Sequence, residues 1–85
     1  MMVEYAPSFV RQYKKLSPDL QQEVEEKILL FSKAAHHPSL RVHPLKGRLV
    51  GTYSFSVNYA YRVVFEYKNK TSAVLLAVGD HDVYR

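Results

Sequence analysis

The sequence predicts an α+β fold in which an N-terminal strand and an antiparallel helical hairpin pack on one face of an antiparallel β-meander. Three observations predict it: apolar residues recur at helical spacing through residues 18–35, apolar and polar residues alternate in two stretches, 52–58 and 61–67, and proline, glycine or asparagine marks each change of period. A chain of 85 residues bounds one domain, residues 1–85, with a single core and little buried area to spare.

Taken in order, "MVEY" reads as a short strand, and Pro7 stands where the first turn of a helix tolerates a missing N–H. A helix through "PSFVRQYKKL" buries Phe9, Val10, Tyr13 and Leu16 and leaves Arg11, Lys14 and Lys15 outside. Ser17 is placed to cap a second helix whose first residue is Pro18. In that helix Leu20, Val24, Ile28, Phe31 and Ala35 form one apolar stripe. Its acidic residues come early and Lys33 late, the order the helix dipole favours. Pro38 stops the pattern, and the short "LSP" link makes the pair an antiparallel hairpin.

From residue 41 the period becomes two. "RVHPLKGRLVG" is a connector with room for a short strand; "TYSFSVN" then sends Tyr53, Phe55 and Val57 one way and Ser54 and Ser56 the other. "NYA" turns the chain into "YRVVFEY", whose apolar face is Tyr61, Val63, Phe65 and Tyr67, with Arg62 opposite. "KNKT" is the next turn, and "SAVLLAVG", apolar on both faces, belongs in the centre of the sheet. The face away from the helices is left open to the loops.

The net charge of +4 lies entirely in the second half, because residues 1–40 balance five Lys/Arg against five Asp/Glu while residues 41–85 hold seven against three. That asymmetry fits a polyanion or an acidic protein partner. The absence of cysteine excludes disulfides and thiolate zinc sites and is compatible with a reducing cytoplasm. No stretch reaches the roughly 20 apolar residues of a membrane span or the apolar core of a signal peptide. A soluble, cytoplasmic protein is expected.

Four residues carry most of the chemical interest. Arg62, mid-strand among apolar residues, offers a guanidinium suited to a phosphate or to a carboxylate such as Glu66. His43 and His81 flank the strands, and a pair of imidazoles can act as base and acid in one turnover; either can equally be a plain surface histidine. Tyr84 can stack on an unpaired base or cap the sheet edge. Lys46, Arg48 and Arg85 read as phosphate contacts or solvated charges. His36 and His37, adjacent at a helix end, diverge too much for a metal pair, and consecutive Asp80, His81 and Asp82 rarely converge on one ion. No cofactor or metal is expected.

Together, the strand and helical hairpin, "HPLKGRLVGTYSFSVNYAYRVVFE" and "VLLAVGDHDVYR" resemble the RelE/ParE superfamily of toxins from type II toxin–antitoxin systems, over nearly the whole chain. The resemblance implies the RelE-like microbial ribonuclease-type fold. It also implies one of two activities: metal-independent cleavage of mRNA in the ribosomal A site, as in RelE, YoeB and YafQ, or inhibition of DNA gyrase, as in ParE. A degenerate toxin that only binds its antitoxin is the third reading. On this resemblance Arg62 falls at the arginine that meets the scissile phosphate, His43 and His81 at histidines used by YafQ, and Tyr84 at the C-terminal aromatic. Ser54 and Ser56 replace the lysine pair of RelE on the middle strand, so that only a histidine-based scheme carries over, with the two serines as substrate contacts. The implied partners are a cognate antitoxin, in a toxin–antitoxin hetero-oligomer, and the ribosome with its mRNA. The scheme requires His43, Arg62 and His81 to surround one pocket.

Overall fold

The computed structural model describes residues 1–80 and Val83. Its elements are β1 (Met2–Tyr5), α1 (Pro7–Lys14), α2 (Pro18–Lys33), β2 (His43–Pro44), β3 (Tyr53–Ser56), β4 (Arg62–Asn69) and β5 (Ser72–Gly79). Two 3₁₀ turns, Pro38–Leu40 and Gly47–Leu49, flank β2. Among the described residues no helix is long and apolar enough to cross a membrane.

The helices form for the local reasons their sequence gives. Pro7 and Pro18 sit in the first turns, and the Ser17 side chain accepts a hydrogen bond from the Leu20 amide at 3.3 Å. Both helices end earlier than the stripe does. Leu16 and Ala35 lie beyond Lys14 and Lys33 yet still pack against the core, because side-chain burial continues where the helical hydrogen bonds stop.

The strands run in the order β1-β5-β4-β3-β2. β3, β4 and β5 form the expected antiparallel meander, while β1 joins β5 in parallel at the edge of the sheet. β5 therefore has a neighbour on each side, but the middle place belongs to β4. The β4–β5 reversal is tighter than "KNKT": Lys68 and Asn69 remain in the strand, and the Asn69 Oδ1 accepts from the Thr71 amide at 2.9 Å and the Ser72 hydroxyl at 2.9 Å. Where β1 ends, α1 takes over the exposed edge of β5. The Ser8 hydroxyl donates to the Leu76 carbonyl at 2.6 Å, and the Gln12 Oε1 accepts from the Val78 amide at 2.9 Å.

Phe31 of α2 is the centre of the core. Its ring lies 4.8 Å from Phe55 and 4.8 Å from Phe65, stacked on the first and edge-on to the second. Val24, Leu40, Val63, Ala73 and Leu75 are fully buried around it. The register places Ser54 opposite Val64 and Ser56 opposite Arg62, on the face away from the helices.

That outer face is less open than the alternation implies. Ser54 is 0% exposed and Val64 4%. Val83 also returns to this side: its amide donates to the Asp80 carbonyl at 2.9 Å, and a Cβ added to Gly79, the cross-strand partner of Arg62, would meet the Val83 Cβ at 3.3 Å.

Candidate active site

His43 is positioned by the turn before it. Leu40 is buried and anchors the 3₁₀ turn, after which Arg41 takes a left-handed conformation with φ 50°. This aims the Arg41 carbonyl at His43, whose Nδ1 lies 2.8 Å away. A carbonyl only accepts, so Nδ1 carries the proton and the lone pair of the neutral ring is on Nε2. Nε2 faces the Ser54 hydroxyl at 3.4 Å, and the His43 side chain as a whole is exposed. The ring is thus held in the tautomer a general base needs.

Ser54, expected on the open face, is fully buried with its hydroxyl beside His43; period two assigns a residue to a face but does not say what lies over it. Ser56, two residues on and beside Arg62, is half-buried and reaches solvent.

Arg62 curls toward the β3–β4 turn. Its Nη1 donates to the carbonyls of Asn58 at 2.9 Å, Tyr61 at 3.2 Å and Tyr59 at 3.4 Å. Asn58 builds that turn: its Oδ1 accepts from the Ala60 and Tyr61 amides, each at 2.9 Å, and its Nδ2 donates to Glu23 at 3.0 Å. The guanidinium is therefore oriented by neutral dipoles and keeps its full charge. It does not pair with Glu66; among the described residues the ion pair present is Lys68–Glu4 at 2.9 Å.

His43 and Arg62 share the outer face but line different clefts, which corrects the expectation that they surround one pocket; a substrate meeting both has to bridge the two. From strand spacing and stagger their Cα atoms are roughly 12 Å apart. His43 lines an open cleft of about 660 Å³ at the sheet edge, with Tyr53, Tyr67 and Lys70. Burial pushes the Tyr67 phenol above its ordinary value there, with Tyr53 adding to the effect. Arg62 lines a second cleft of about 450 Å³ with Lys27, Arg41, Ser56 and Tyr59. Lys46 and Arg48 stand exposed on the β2–β3 connection and line neither cleft. His81, Tyr84 and Arg85 lie outside the described residues. Among those described, no three His, Cys, Asp or Glu side chains gather to hold a metal ion.

The residues missed at the sequence level are Arg41, Lys27 and Tyr59. Lys27 looks like a solvated helix charge and Tyr59 like turn filler. Nothing local marks Arg41 as the residue whose carbonyl orients His43.

No family model matches the chain, and no curated protein sequence does. Solved structures do match. YafQ from E. coli strain BL21(DE3) superimposes with a TM-score of 0.80 at 13% identity, covering 96% of this chain and 94% of that one. The YoeB/ParE toxin from Agrobacterium tumefaciens gives 0.76 at 15% identity, covering 95% and 99%. The toxin–antitoxin complex RelBE2 from Mycobacterium tuberculosis gives 0.67 at 23% identity, covering 94% and 96%. Mutual coverage is near-complete in each case, and this chain has the fold of these YafQ, YoeB/ParE and RelBE2 structures.

Proposed function

We propose that the protein is the toxin of a toxin–antitoxin pair and an endoribonuclease that cleaves mRNA in the ribosomal A site. The carrying observation is His43: an exposed imidazole whose Nδ1 is committed to the Arg41 carbonyl, leaving Nε2 as the basic nitrogen on the face that also bears Arg62. The likeness to toxin structures supports the toxin reading, and the complexes among them, including YoeB–YefM from Staphylococcus aureus, support an antitoxin partner.

In the scheme, His43 Nε2 takes the proton of the ribose 2′-hydroxyl, and the freed oxygen attacks the adjacent phosphorus. The 5′-oxygen leaves with a proton from His81, giving a 2′,3′-cyclic phosphate and a 5′-hydroxyl. Arg62 offers Nε and Nη2 to the phosphoryl oxygens while Nη1 stays on the turn carbonyls. Tyr84 stacks on a substrate base. Only RNA has the attacking hydroxyl, so DNA is not cut. With so few groups, the ribosome supplies much of the rate by holding the mRNA in place.

The test is mRNA cleavage on purified ribosomes, with product ends mapped. His43→Gln and Arg62→Gln should each lower the rate about 100-fold or more. Undiminished cleavage by either variant discards the scheme. Loss of DNA supercoiling without loss of translation would instead identify a gyrase inhibitor.

A further inference from the structure

The cleft at the β3–β4 turn gathers three cations, Lys27 from α2, Arg41 from the end of the 3₁₀ turn and Arg62 from β4. None of them is in an ion pair among the described residues, and Glu23, one turn before Lys27 on α2, is engaged by the Asn58 amide. Like charges brought together repel, and backbone carbonyls orient the Arg62 guanidinium without neutralising it. The cluster is therefore a concentrated positive field in a concave site, suited to an anion. At its lip stands Tyr59, 96% exposed at a turn position that a small polar residue would fill more cheaply. A bare aromatic ring beside a cationic cleft is the pairing that holds single-stranded nucleic acid, base on ring and phosphate on cations.

We propose that Lys27, Arg41 and Tyr59, beside Arg62 and the scissile phosphate it meets, form a subsite for the neighbouring backbone and one base of single-stranded RNA. It rests on the ribonuclease reading for the identity of the polyanion. RNA is favoured over an acidic peptide because the site joins clustered point charges to a stacking surface open on all sides.

The test titrates the full chain with a fluorescent single-stranded oligoribonucleotide, 2′-O-methylated to block cleavage, at rising salt. Lys27→Gln combined with Arg41→Asn, which tolerates the left-handed backbone, should weaken binding and flatten the log–log salt slope by about 1.4, two phosphate contacts' worth. Tyr59→Ala should weaken binding about tenfold and leave the slope unchanged. Removing two exposed charges elsewhere, with Lys14→Gln and Lys15→Gln on the α1 side, should do much less. Equal losses in that control, or binding of an acidic peptide but not RNA through these residues, overturns the subsite. Pelleting with ribosomes distinguishes the two RNA sources: losses without mRNA assign the contact to ribosomal RNA, and losses only on programmed ribosomes assign it to mRNA. A protein that cuts mRNA but binds RNA independently of these residues keeps the ribonuclease and loses the subsite. One that never cuts but shows the predicted pattern does the reverse.

Discussion

The two faces of the sheet are built from the same strands by opposite rules. On the helix side Phe31, Phe55 and Phe65 exclude water and make no polar contact through their side chains. On the outer side His43 and Arg62 are oriented by backbone carbonyls, of Arg41 and of the Asn58–Tyr61 turn. Alternation along β3 and β4 lets one strand serve both, each residue's parity deciding its work. The consequence is that stability and chemistry should be separable by substitution.

The largest expected effect is on stability. Phe31→Ala empties the space between two other rings and should cost about 3–5 kcal/mol, out of a total near 5–15 for a domain of this kind. Denaturant unfolding followed by tyrosine fluorescence reads this directly, and Phe31→Leu should recover most of the loss. A Phe31→Ala protein of unchanged midpoint would mean that the core is centred elsewhere.

His43→Gln is the mirror experiment. An exposed side chain on a two-residue strand contributes little to stability, so the midpoint should move by less than about 0.5 kcal/mol while cleavage falls about 100-fold. Unfolding in step with lost activity would show the two faces to be coupled.

How much of this was legible depends on the range of the interaction. Phe31 was readable because its stripe repeats every three or four residues, and the parity of Ser54, Ser56 and Arg62 because strands have period two. The parallel pairing of β1 with β5 joins residues some seventy positions apart and leaves no local mark. Cover is equally invisible: parity put Ser54 on the outer face, but its burial depends on neighbours brought there by the rest of the chain. Arg41 matters through its carbonyl, which every residue has, and Lys27 through a cleft formed only when α2 meets the β3–β4 turn.

Ser54 falls between the faces and should give an intermediate result. Ser54→Ala removes a buried hydroxyl that meets His43 Nε2, at a cost of about 1 kcal/mol. Cleavage should fall several-fold, since the ring keeps its Arg41 anchor but loses one neighbour. A loss as large as that of His43→Gln would make the hydroxyl part of the chemistry itself.

The smallest effect tests whether the segment after β5 tunes the outer face. Gly79 is the cross-strand partner of Arg62, and an added Cβ would sit 3.3 Å from the Val83 Cβ, so Val83 must give by a few tenths of an ångström. Against that strain, alanine lowers the entropy of the unfolded chain by an amount worth about 0.4–1 kcal/mol. The two terms should nearly cancel in stability. They do not cancel in geometry, because displacing Val83 disturbs what lies beside Arg62. Gly79→Ala should therefore leave the unfolding midpoint within about 0.5 kcal/mol of the parent and lower cleavage by a small factor. Unchanged cleavage would mean that Val83 merely fills space over the strand, and that Arg62 takes its orientation from the β3–β4 turn alone.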